Sequence, residues 1–339
     1  MLASIRQCPM LQSARSALPR LLVFAASLSI GACDGADDPL APTDSEDVPV
    51  PASAAAAPDQ ALAALTSPRI AISAYRVGDQ SDIFSMDSQG NSFSRLTTTP
   101  VVGEGQPAWS WDNKRIVLVS PRKDGSDQYH NDIYVINADG SNGHWARPFA
   151  ANYHLQDPQW SPDGSRILLT VYLPGYTPYL AYINVATGAL DLIGSTTGGV
   201  KGSQPSYDPT GKKIVYIGST GRSMDQVNAD GSGHTYLIGV SAKYLSYPTF
   251  SPDGKRIAFD KPVNGDQEIF VRNANGIVKR LTTSPGLDNH ATWSPDGRTI
   301  AFISKRSGQH RVWTKNLVDG SLKQITKTGG EDWAPAYSH

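Results

Sequence analysis

The stretch His290-Ala291-Thr292-Trp293-Ser294-Pro295-Asp296-Gly297-Arg298-Thr299-Ile300-Ala301-Phe302 decides the fold. Its middle, Ser-Pro-Asp-Gly, is turn chemistry. Proline presets φ at the second turn position, aspartate can bond the backbone, and glycine accepts the left-handed conformation. The apolar flanks ending at Trp293 and running through Ile300-Ala301-Phe302 read as the two strands of a hairpin.

The unit recurs. Pro248-Thr249-Phe250-Ser251-Pro252-Asp253-Gly254 and Pro158-Gln159-Trp160-Ser161-Pro162-Asp163-Gly164 are close copies. Pro107-Ala108-Trp109-Ser110-Trp111-Asp112-Asn113 and Pro205-Ser206-Tyr207-Asp208-Pro209-Thr210-Gly211 are worn ones. The aromatic anchors Trp109, Trp160, Tyr207, Phe250, Trp293 and Tyr337 are spaced by 51, 47, 43, 43 and 44 residues. A period of roughly 40–50 residues suits one four-stranded propeller blade. Third strands recur at Asp82-Ile83-Phe84, Asp132-Ile133-Tyr134 and Glu268-Ile269-Phe270. Turns such as Asn137-Ala138-Asp139-Gly140 lead into outer strands.

The chain is therefore expected to be all-β, a six-bladed β-propeller over residues 67–339. Second strands are expected at Ile70, Ile116, Ile167, Ile214, Ile257 and Ile300. The one near residues 69–73 has no first strand before it. The segment near 334–338 is a first strand with no second after it. Pairing the two closes the ring and leaves no open blade between the termini.

The Trp-Ser-Pro-Asp-Gly repeats resemble those of the TolB-like propeller family across residues 67–339. The resemblance implies a fold strongly and a function weakly, because such repeats also serve sensors, peptidase side domains and lyases. TolB is a periplasmic partner of the peptidoglycan-associated lipoprotein, and it carries an α/β domain before its propeller. Residues 34–66 are too short and too polar to supply that domain here.

The amino terminus reads as an address. Arg6, Arg15 and Arg20 precede the apolar run Leu21 to Ile30, which has signal-peptide length and is too short to span a bilayer. Gly31-Ala32-Cys33 follows and resembles a bacterial lipobox. The expectation is a signal peptide over residues 1–32, lipidation of Cys33, and an exported lipoprotein of the cell envelope, in either membrane. Residues 34–66 hold seven acidic residues and no lysine or arginine. Rich in Pro and Ala and poor in large apolar groups, that segment reads as a disordered tether.

Charge is balanced overall, with 30 Lys+Arg against 31 Asp+Glu. That excludes nucleic acid as the expected partner. The only cysteines, Cys8 and Cys33, lie before the repeats, so a disulfide cannot staple the propeller.

No Gly-x-Ser-x-Gly elbow, His-Glu-x-x-His or Cys-x-x-Cys occurs, so no catalytic residues are assigned. The repeated Trp, Pro, Asp and Gly residues are packing and turn residues. The informative positions differ among repeats at equivalent places. The segments before each first strand, expected at the channel mouth, supply Glu104 and Gln106, His154 and Asp157, Lys201 and Gln204, Tyr244 and Tyr247, Asp288 and His290, and Asp332 and Trp333.

A mouth of this mixed character suits a protein, peptide or glycan ligand. The expected function is a membrane-anchored, non-catalytic binding or scaffold propeller, a monomer with no cofactor. A channel-bound divalent cation such as calcium stays open. The alternative is a propeller enzyme, a polysaccharide lyase or glycoside hydrolase working in the mouth. The resemblance extends to oligogalacturonate lyases, which use metal-bound histidines.

Overall fold

The structure is a computed structural model that describes residues 67–76, 80–98, 103–123, 128–148, 153–327 and 329–339. The expected signal peptide, Cys33 and the acidic segment lie outside the described residues. Six antiparallel sheets of four strands make six blades. The first strands are Gly105–Trp109, His154–Trp160, Gly202–Tyr207, Ser246–Phe250, Asp288–Trp293 and Asp332–Tyr337.

The last of these pairs with Arg69–Tyr75, and Ser81–Asp87 and Ser94–Arg95 complete the same blade. Ile70 faces Tyr337, Ala71 faces Ala336 and Ala74 faces Asp332 in antiparallel register. The ring closes as the two half-blades at the ends of the repeats require.

Second strands such as Ile116-Val117-Leu118-Val119 are buried along their whole run and not only at alternate residues. Each is covered on both faces by neighbouring blades, which removes the polar face of an exposed strand. Six apolar clusters fill the six interfaces between blades. The closing blade packs Ile70, Ile72 and Met86 against Ala301, Ile303 and Val312 on one side. It packs Ala71 and Ile83 against Trp109, Ile116 and Leu118 on the other.

The hairpin turns do what their residues suggest. Ser110, Ser161, Ser251 and Ser294 donate their hydroxyls to Asp112, Asp163, Asp253 and Asp296 at 2.5–2.6 Å. Hydrogen bonds led by those from Ser161 and Ser294 hold Asp163 and Asp296 below the usual carboxylate range. Gly164, Gly254 and Gly297 take φ of 70°, 68° and 63°. In the worn copy Asn113 stands at φ 59° instead, a conformation asparagine tolerates better than most side chains. Arg115 then lies 4.3 Å over the Trp160 ring and Arg256 lies 4.6 Å over Trp293, so these two hairpins cap the next blade's aromatic anchor.

Candidate ligand-binding channel

Every first strand carries one extra residue near its start. The pairing register slips between Gly105 and Ala108, Gln156 and Gln159, Ser203 and Ser206, Ser246 and Thr249, and Asn289 and Thr292. The closing blade slips likewise beside Ser73. At each bulge one residue takes positive φ: Gln106 51°, Asp157 55°, Gln204 54°, Tyr247 50°, His290 55° and Ala334 45°.

Glycine would adopt this conformation freely, yet none of the six is glycine. A non-glycine residue held there costs of order 1 kcal/mol, and such strain concentrates where a side chain is needed. The six line one chamber of about 130 Å³ on the ring axis. A second space of about 100 Å³ continues toward the hairpin turns, walled by the aromatic anchors. There His339 stacks on Trp111 with ring centroids 3.9 Å apart.

The chamber wall is wired from blade to blade. Gln106 Nε2 donates to Asp157 Oδ1 at 3.0 Å, and the Asp157 backbone N–H returns a bond to Gln106 Oε1 at 2.8 Å. Thr170 Oγ1 donates to Asp157 Oδ2 and accepts from the Gln204 N–H, both at 2.9 Å. Gln204 Oε1 accepts from the Tyr247 N–H. The Tyr247 and His290 rings lie tilted by 31° against each other with centroids 3.7 Å apart. The His290 N–H donates to Asp260 Oδ2 at 2.9 Å.

Enclosure dominates the electrostatics. Burial pushes Asp157 up to about 6, against the hydrogen bonds from Thr170, Gln204 and Gln106. Burial also raises Asp260 far above the usual range, and the neighbouring Asp288 adds to it. His290 is driven down to about 3, mostly by burial, and is neutral at physiological pH. Asp260 Oδ1 and His290 Nδ1 have no hydrogen-bond partner.

Gln106, Asp157, Gln204, Tyr247 and His290 thus meet in one chamber. The other candidates stand elsewhere. Asp288 and Asp332 are fully buried in ion pairs, with Arg306 at 2.7 Å and with Arg76. Glu104 is buried, its Oε1 3.5 Å from Ser120 Oγ. The Trp333 ring lies tilted against His310 with centroids 4.0 Å apart. His154 lies 5.1 Å from His130. Lys201 and Tyr244 are exposed, the first 5.8 Å from the Tyr179 ring and the second beneath Arg222.

Sequence reasoning missed Thr170 and Asp260. Asp260 stands within the second strand Arg256–Val263 where the equivalent positions, Val119 and Ile303, are apolar, and that departure was visible. Among the described residues, no group of three or more His, Cys, Asp or Glu is arranged to hold a metal ion.

Many solved structures share the fold, three of them as follows. TolB from Acinetobacter baumannii aligns over 80% of this chain with a TM-score of 0.67 and 19% identity. The chain spans 66% of that protein's length, just under two thirds. A TolB-type protein of Agrobacterium tumefaciens aligns over 79% of this chain and 92% of its own, with a TM-score of 0.61 and 19% identity. An oligogalacturonate lyase in complex with manganese aligns over 76% of this chain and 78% of its own, with a TM-score of 0.53 and 12% identity. At these identities the likeness is one of fold. No curated protein sequence matches the chain. The family model of the TolB beta propeller domain (PD40) matches residues 66–244 and 232–339, and with the six blades closed as described, the chain belongs to that family.

Proposed function

We propose that this protein is an envelope-anchored, non-catalytic propeller that binds a protein, peptide or glycan in its axial channel. The observation that supports this reading best is the ring of six strained, non-glycine residues around one chamber. Five residue types occur among the six blades, which gives the chamber the unlike sides that an asymmetric ligand needs. They bond mainly to one another. Lys201, Tyr244, His154 and Trp333 extend the surface at the rim, while Glu104, Asp288 and Asp332 brace the wall behind it. Export and acylation of Cys33 would hold the ring near a membrane through residues 34–66, since two or more acyl chains anchor a protein stably.

The full chain and its Cys33→Ser form test the anchor by partition between membrane and soluble fractions. With detergent-solubilised full chain as bait, Tyr247→Ala and His290→Ala should each lower capture of the envelope ligand at least tenfold. Lys201→Ala should lower it a few-fold, and Asp253→Asn, on an outer turn, should leave it unchanged. Melting curves confirm that each variant is folded. Turnover of an envelope or plant polysaccharide that vanishes in His290→Ala would replace this reading with the enzyme.

A further inference from the structure

The channel has an uneven polarity. No lysine or arginine lines either of its two spaces. In the upper chamber the titratable wall groups are Asp157, Tyr247 and His290. Asp157 accepts from Gln106 and Thr170, the Gln204 N–H also lies close to it, and a carboxylate has lone pairs beyond these for a further donor. The surface it leaves open lines the chamber. His290 carries no charge there, so it cannot serve as the carboxylate's counter-ion.

A wall that holds a carboxylate and no basic side chain favours a compact cationic donor. An ammonium has three donors, no acceptor and a full charge. A carboxylate, sulfate or phosphate would meet Asp157 with nothing to neutralise either charge. We propose that the upper chamber takes a primary ammonium group, the side chain of a lysine or the free amino terminus of a peptide, with Asp157 as its counter-ion. This rests on the reading of the channel as a ligand site and names the chemistry of the ligand.

The pairing couples binding to protons. An ammonium binds the ionised carboxylate, so below about pH 6 it must first expel the proton that burial places on Asp157. Tyr172 and Tyr247 are the titratable groups that face Asp157, and both stay protonated in this range, their hydroxyls pushed up by burial. Around Asp260 the facing groups are Asp288, His290 and Tyr247, and His290 in turn faces His310.

Calorimetry on the full chain tests this with n-butylammonium chloride against n-butanol, its neutral counterpart. The amine should bind at least tenfold more tightly than the alcohol at pH 7.5. Its affinity should fall about tenfold at pH 5, with release of a proton. Asp157→Asn should weaken the amine tenfold or more and abolish that pH dependence, which a merely structural role would not do. Nα-acetyl-lysinamide and alaninamide then separate the two sources of the ammonium.

Equal binding of n-butanol, or unchanged amine binding in Asp157→Asn, overturns the inference. So does displacement of the amine by calcium chloride at lower concentration. If a neutral sugar binds the chamber in place of the amine, this inference fails and the binding reading stands. If no probe binds and a turnover depends on His290, both fail.

Discussion

Asp332→Ala should lower the stability of the propeller by about 3–5 kcal/mol, a drop in melting temperature on the order of 10 °C for a domain of this size. Asp332 is fully buried where the last strand meets the first. Its carboxylate accepts from Arg76 and Thr326 and lies 3.9 Å from Arg311. The arginines themselves are 11% and 4% exposed, so removing the carboxylate leaves two buried guanidiniums with only neutral carbonyl and amide acceptors. The loss falls on the one blade made from both ends of the ring. Asp253→Asn, in an exposed turn, should stay within about 1 kcal/mol of the parent. Thermal and urea denaturation of the three proteins at pH 7.5 check this. A change below about 1 kcal/mol for Asp332→Ala would mean that the buried ion pair does not hold the closure.

Asp157→Asn should do the opposite at neutral pH. Burial raises the native carboxyl to about 6, from an unfolded value near 3.8. Below pH 3.8 both states hold the proton and the group contributes nothing to pH dependence. Between pH 4 and 6 the native state binds more protons, so stability falls as pH rises through that window. Above pH 6 the cost levels off at about 3 kcal/mol at most, which channel water reduces. Asparagine never ionises and escapes this cost, but it loses about 1 kcal/mol of hydrogen bonding to Thr170 or Gln106. The variant should therefore be about 1–2 kcal/mol more stable than the parent at pH 7.5 and about 1 kcal/mol less stable at pH 4. His290, His339 and Asp260 titrate in both proteins and cancel in the difference. A difference that does not change between pH 4 and 7.5 would show that Asp157 is not raised by burial.

The blades were legible because their determinants are local. Ser161-Pro162-Asp163-Gly164 makes its turn from its own atoms, and Trp160 announces the strand before it. Ring closure was legible from the unpaired strands near Ile70 and Tyr337. The site was only partly legible, for a definite reason. Side chains two residues apart in a regular strand share a face, so Asp288 and His290 count as neighbours at the mouth. The bulge between Asn289 and Thr292 breaks that period. His290 then lines the channel, while Asp288 is buried with Arg306. The same extra residue separates Asp332, in its ion pair, from Ala334 at the chamber. Nothing in single residue identities marks a bulge whose left-handed position is glutamine, aspartate, tyrosine or histidine where glycine would be usual.

Removing residues 334–339 is the most direct trial of the architecture on which the channel depends. The deletion takes away the partners of Ile70 and Ala71, the Tyr337 side of the closing core, and one of the six residues around the chamber. Followed by circular dichroism during heating, the shortened protein should lose its single sharp transition and melt broadly at a lower temperature. A transition as sharp and as hot as that of the intact chain would contradict the closed ring.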